Sequence, residues 1–200
     1  VFKVNELIDK LNVYHKDLGN PVTDVETFIR LKKAVEECNA GKAKTEEQSN
    51  DIVDLQQILE NHKEIKLQDY DAKRVIELKD INVKYERKLD ASSYFIDNNI
   101  QKYRLDLKVE IANFDNQIKG MISELNNETL NKYNEDTFNA IDFLEENSLK
   151  IQKCVASKEK YQQEEDDLEI DETQKSNFQN LDNLVYDQQL KIDIWNSVRE

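Results

Sequence analysis

Turn-forming residues are almost absent from this chain, and their scarcity constrains the fold more than any other feature of the sequence. The 200 residues include three glycines, Gly19, Gly41 and Gly120, and one proline, Pro21. Ordinary globular domains carry several times more of both residues, because their turns need them. Few turns imply long elements, and abundant Glu, Lys, Leu and Gln favour helices over strands. We therefore predict an all-α fold, an elongated bundle of long amphipathic helices with coiled-coil-like packing.

The charge and hydropathy of the chain argue against two classes of partner, nucleic acid and membranes. Charged residues make up 35% of the chain, hydrophobic residues 38%, and the formal net charge is −14. Such a surface repels nucleic acid and anionic membranes, and no apolar run approaches the roughly 18–20 residues of a membrane span. We therefore expect neither nucleic acid nor a membrane as a partner. The start at Val1, without a methionine, suggests an excerpt from a larger protein.

Residues 1–70 are predicted to hold two helices and a further helical segment. The first covers residues 2–18, with an apolar face of Leu7, Leu11, Tyr14 and Leu18, and ends at Gly19-Asn20-Pro21. A capping box, Thr23 to Glu26, is predicted to open the second helix. Gly41 indicates a weak point or a stop, and Thr45 to Gln48 forms a second capping box. The apolar positions predicted to face inward in these two segments are Val25, Phe28, Ile29 and Val35, then Ile52, Leu55, Ile58 and Leu59.

A long apolar seam dominates the middle of the chain. The pattern predicts one helix from residue 71 to residue 127, about 80 Å long if continuous. Steps of three and four residues alternate along much of it, which is typical of a helix that packs against a neighbour. The seam consists of Leu78, Ile81, Tyr85, Leu89, Ile96, Ile100, Tyr103, Leu107, Ile111, Phe114, Ile118, Met121 and Leu125.

Two further helices are predicted after a polar turn. One runs from 135 to 161, and the acidic stretch 164–172 then reads as a solvated connector. The positions expected to face inward are Ile141, Leu144, Ile151 and Val155, then Phe178, Leu181, Val185, Gln188, Ile192 and Trp195. The resulting division is 1–70 (first helical bundle segment), 71–163 (long helix and return helix), 164–172 (acidic connector) and 173–200 (last helix).

Residues that could carry chemistry are sparse. The three glycines are too far apart to cradle a phosphate, and neither His15 nor His62 stands at the spacing of a metal motif. Cys38 and Cys154 suggest buried thiols in a reducing compartment. We therefore predict no catalytic, cofactor-binding or metal-binding residue, no cofactor and no small-molecule substrate. A helical carboxylate-metal enzyme, the catalytic alternative, would need Glu-x-x-His motifs, and neither histidine stands in one.

The last forty residues carry the most specific pattern. It consists of Tyr161-x-x-Glu164-Glu165-x-x-Leu168-x-Ile170, then Phe178-x-x-Leu181-x-x-Leu184-x-x-Asp187-x-x-Leu190-Lys191-x-x-x-Trp195-x-Ser197. This pattern resembles the tail of dynein heavy chains just before the motor linker, where a polar turn and a short Glu-rich stretch are followed by a helix ending in Leu-Lys and Trp. Earlier landmarks resemble tail helices of ciliary dyneins: Asp24-Val25-Glu26-x-Phe28, Asp54–Leu59, and Tyr103-x-x-Asp106-Leu107-x-x-x-Ile111-x-x-Phe114.

The resemblance implies a structural role. A dynein tail couples an ATP-driven microtubule motor to its cargo, which in a cilium is the doublet microtubule. It also holds intermediate or light chains and neighbouring heavy chains. The ATPase sites of such a parent lie outside this chain, and the implied location is cytoplasmic and cytoskeletal, with the ciliary axoneme favoured.

Two questions stay open from the sequence alone. A non-motor scaffold, such as a spectrin-like, tethering-complex or parallel coiled-coil protein, would share the same seam. Trp195 fits an anchor for helix packing, because large aromatic side chains dominate such contacts. The alternative for Trp195 is an interface hot spot for the part of the protein that follows residue 200.

Overall fold

Helices account for most of the structure. The computed structural model describes residues 2–61, 68–126 and 137–199, and these ranges contain no strand. The elements are α1 (Phe2–Asp17), α2 (Val25–Asn61), α3 (Asp69–Leu125), α4 (Thr137–Asp167), a one-turn 3-10 helix (Glu172–Gln174) and α5 (Gln179–Arg199). The predicted all-α bundle fold is confirmed, whereas coiled-coil-like packing stays a prediction.

The chain forms two compact units, and their boundary differs from the predicted division at residue 70. The first unit is Val1–Tyr103 and the second is Arg104–Glu200. The long helix α3 contributes its first part to one unit and its last part to the other. The sequence pattern could not mark this boundary, because the apolar seam runs through it without a turn-forming residue.

Aromatic contacts define the core of the first unit. Tyr14 of α1 stacks on Tyr85 of α3 with ring centroids 5.9 Å apart, and the buried Tyr85 hydroxyl donates to the Cys38 carbonyl of α2 at 3.4 Å. Further along, Phe28 of α2 stacks on Tyr103 of α3 at 4.2 Å. Residues 28 and 38 of α2 thus meet residues 103 and 85 of α3, so the two helices run antiparallel.

The second unit packs α4 and α5 against the end of α3. Phe114 of α3 contacts Tyr161 of α4 at 5.4 Å and Phe178, just before α5, at 6.3 Å between ring centroids. The buried Gln188 of α5 donates through Nε2 to the Leu144 carbonyl of α4 at 2.6 Å. These contacts place α4 and α5 antiparallel to each other, with all three helices sharing one core.

The predicted seam of α3 is the buried face of that helix. Leu78, Leu89 and Leu107 are at most 1% exposed, while Ile81 and Ile100 are half-buried. The remaining members are all buried: Tyr85, Ile96, Tyr103, Ile111, Phe114, Ile118, Met121 and Leu125. Steps of three and four residues keep these side chains on one side of a 3.6-residue helix, which is why the pattern identified them.

The N-terminal cap of α2 differs from the predicted Thr23–Glu26 box by one residue. The Thr27 amide donates to Asp24 Oδ1 at 2.8 Å, and the Asp24 amide donates to Thr27 Oγ1 at 3.1 Å. Glu26 instead pairs with Arg30. Aspartate is as good an N-cap residue as threonine, so either Thr23 or Asp24 could cap α2. In the structure the cap is the reciprocal pair Asp24–Thr27.

The predicted interruption of α2 at Gly41 does not occur. The helix runs through Gly41, and Thr45 donates its hydroxyl back to the Gly41 carbonyl at 3.0 Å instead of opening a new helix. One glycine inside a helix costs only about 1 kcal/mol, less than tertiary packing supplies. The predicted inward face beyond it is partly wrong, because Leu55 and Ile58 are 58% and 54% exposed.

Two inward positions in the second unit are shifted by one residue from their predictions. In α4 the buried residue is Cys154, whereas Val155 is 37% exposed. In α5 it is Leu184, whereas Val185 is 39% exposed. In each helix two apolar residues are adjacent, and apolar spacing alone cannot choose between neighbours 100° apart on the helix.

Candidate interaction surface

The acidic stretch 164–172 is less solvated than its charge predicts: four of its nine residues are buried, whereas Asp166, Glu169, Asp171 and Glu172 are exposed. Its first residues continue α4 as far as Asp167, and Glu164 and Glu165 are 6% and 1% exposed. Leu168 and Ile170 are also buried. A dense run of charges predicts solvent exposure when the charges have no partners. Here the apolar residues between the charges pack against the core and keep the segment close to it.

Local partners compensate the carboxylates of this stretch. Glu165 Oε1 accepts a hydrogen bond from the Ser176 amide at 2.8 Å. The Lys175 ammonium lies 2.5 Å from Asp166 Oδ1 and also pairs with Glu172. Hydrogen bonds to these two carboxylates raise the pKa of Lys175 above its ordinary value. The acidic stretch and the segment after it therefore form one folded turn.

The backbone of this turn closes α4 with a Schellman motif. The Ile170 amide donates to the Glu165 carbonyl at 3.0 Å, and the Glu169 amide donates to the Asp166 carbonyl at 2.9 Å. Glu169 has a φ of 54°, in the left-handed region that glycine usually occupies at this position. The motif satisfies carbonyls that the end of a helix otherwise leaves without a donor.

Arg104 of α3 completes that helix end. Its guanidinium donates through Nε to the Leu168 carbonyl at 2.8 Å and through NH2 to the Glu169 carbonyl at 3.1 Å. A cation at a helix C-terminus also interacts favourably with the helix dipole. This contact could not be predicted from the sequence, because Arg104 is 64 and 65 positions away from its two partners and no local pattern links them.

The inner face of α5 continues from this turn. Trp195 is 7% exposed, which fits its interpretation as an anchor for helix packing. Lys191 donates to the Leu125 carbonyl at the end of α3, at 2.7 Å. The other buried residues of α5 are Leu181, Leu184 and Gln188, and Phe178 just before the helix is buried with them.

The outer face of α5 is apolar as well. Tyr186, Leu190, Ile194 and Val198 are 69%, 46%, 49% and 39% exposed. We call these four residues the outer stripe of α5; they stand four positions apart. The stripe could not be identified from the sequence, because an outward apolar line is visible only once the inward line is known.

Both cysteines are buried free thiols, as predicted. Burial raises the pKa of Cys38 and of Cys154, which disfavours the thiolate that a nucleophile needs. Cys154 lies 3.9 Å from the sulfur of Met121 and lines a groove of about 690 Å³ between α3 and α4. The polar side chains along this groove include Glu110 and Lys153.

His15 is half-buried on α1, and His62 lies outside the described residues. Within the described ranges, no three His, Cys, Asp or Glu side chains are grouped as a metal site requires. None of the helices in those ranges is long and apolar enough to cross a membrane.

Comparison with known proteins adds no family. No protein-family model matches this chain, and no curated protein matches it.

Proposed function

We propose that this chain is a structural tail segment of a dynein heavy chain, coupling an ATP-driven microtubule motor to its cargo or doublet microtubule. The supporting observation is that most apolar residues of the resemblance are buried in the second unit. Leu168 and Ile170 belong to the buried turn after α4, Phe178 lies just before α5, and Leu181 and Trp195 belong to the inner face of α5, whereas Leu190 is 46% exposed.

Force transmission is the proposed mechanism. Long helices packed side by side resist bending, because bending breaks many close contacts at once. In each unit α3 packs against two other helices, so a load along α3 is shared with them. In this role the segment performs no catalysis itself, and ATP is hydrolysed elsewhere in the parent.

The proposed partners follow from the same role. They are dynein intermediate or light chains, neighbouring heavy chains and, through the assembled tail, the doublet microtubule. The proposed location is cytoplasmic and cytoskeletal, with the ciliary axoneme favoured.

The parent sequence tests the motor assignment most cheaply. A dynein heavy chain continues beyond this segment into a linker and then into AAA+ modules with P-loops. Finding that order downstream would support the proposal, whereas a full-length parent without P-loops would rule it out.

A non-motor helical scaffold is the second candidate, and the path of α3 favours it. The last helix of the first unit continues without a break as the first helix of the second. A scaffold built from successive helical units would use a shared helix of this kind to join them. A parallel coiled-coil protein would give twice the chain mass in light scattering of the isolated segment, whereas a bundle arm that folds on itself would give the single-chain mass.

A further inference from the structure

We propose that the outer stripe of α5 binds an amphipathic helix of a partner protein, one whose apolar face is bordered by lysine and arginine. This inference rests on the proposed structural role, to which it adds the chemistry of the partner. The stripe consists of Tyr186, Leu190, Ile194 and Val198, each at least 39% exposed.

The stripe has the geometry of a helix contact. Its members repeat at intervals of four, so they form one line along α5 that extends over about 18 Å. Another face of the same helix is already buried through Leu184, Gln188 and Trp195, and the stripe comes within one turn of it at Val198. A helix that is apolar on two faces is typical of one enclosed by neighbours, and single exposed apolar residues would not align in this way.

The charges beside the stripe select the partner. Asp187 and Asp193 stand three positions before and after Leu190. These spacings bring each carboxylate next to the stripe on the helix surface. The nearby Lys191 directs its ammonium to the Leu125 carbonyl. An acidic border on a chain of net charge −14 attracts a basic helix and repels an acidic one.

A binding experiment on the whole 200-residue chain tests the proposal. The probe is a synthetic helix of about 18 residues with a leucine stripe bordered by lysines, long enough to cover the outer stripe. We expect binding by fluorescence anisotropy at low salt. Leu190→Ser together with Ile194→Ser should weaken it about tenfold or more, because central apolar contacts carry most of the affinity of an interface.

Matched controls separate this surface from general attraction to an acidic protein. Leu105 and Val109 of α3 are 63% and 60% exposed, so Leu105→Ser with Val109→Ser removes equivalent apolar surface elsewhere and should leave binding unchanged. A probe with glutamates in place of its lysines should not bind. The four substituted side chains, Leu190, Ile194, Leu105 and Val109, are all exposed. Circular dichroism should therefore show unchanged helix content in both double variants.

Three results would overturn the proposal. The first is that the lysine probe binds both double variants equally. The second is that the glutamate probe binds as tightly as the lysine probe. The third is that neither probe binds the unaltered chain. Self-association of the chain that Leu190→Ser with Ile194→Ser abolishes would also overturn it, by assigning the stripe to a second copy. None of these results bears on whether P-loops follow in the parent, so the failure of this inference and that of the proposed function are distinguishable.

Discussion

Glu169 occupies a backbone conformation that most residues avoid. Its φ of 54° places it at the left-handed position of the Schellman motif after α4, where a Cβ atom is unfavourable. Glycine has no such penalty. We expect Glu169→Gly to be more stable than Glu169→Ala by about 1 kcal/mol, measured by urea unfolding. The alanine variant is the control, because both variants remove the side chain and only glycine relieves the backbone. Equal stability of the two would contradict this account of the turn.

Gly41 presents the opposite case, a glycine where none is required. It lies inside α2, and an added Cβ would meet only the Tyr14 hydroxyl at 3.6 Å, an ordinary van der Waals distance. We expect Gly41→Ala to raise the free energy of unfolding by about 0.5–1 kcal/mol, because alanine has the higher helix propensity. Thermal unfolding followed by circular dichroism measures it. A lowered melting temperature would show that residue 41 needs a glycine.

At the scale of the helix, α3 offers a direct test of which face is buried. Leu107 is 0% exposed and Leu105 is 63% exposed, although they are two residues apart in the same helix. We expect Leu107→Ala to reduce the free energy of unfolding by about 2–5 kcal/mol, because it leaves a cavity in the second unit. Leu105→Ala should change it by less than about 0.5 kcal/mol. Similar losses for both variants would contradict the burial of the seam.

The helices of this chain could be predicted from sequence, whereas the surface at its end could not. The seam of α3 was predictable because thirteen apolar residues repeat in one helical register. The partial burial of the acidic stretch at the end of α4 could not be predicted, because it depends on partners such as Arg104 and Ser176 that no local pattern reveals. The outer stripe of α5 was missed since adjacent apolar residues, such as Leu184 and Val185, leave the inward register undecided.

At the scale of the whole molecule, α3 is the element that the two units share. Residues up to Tyr103 pack in the first unit, and residues from Arg104 onward pack in the second. In the proposed arm, a change that loosens the packing of either part of α3 should weaken mechanical coupling without touching the site of ATP hydrolysis. Mechanical coupling and ATP hydrolysis can therefore be measured separately.

The most direct test of the proposed role is a comparison of force and hydrolysis in the full parent protein. Leu107→Asp places a charge in the buried seam, whereas Leu105→Asp places the same charge on the exposed side of the helix. The account predicts that Leu107→Asp loses most of the microtubule-sliding force while ATP hydrolysis by the motor continues, and that Leu105→Asp retains both. Full sliding force in Leu107→Asp, or a parent with no ATP-driven movement along microtubules, would contradict it.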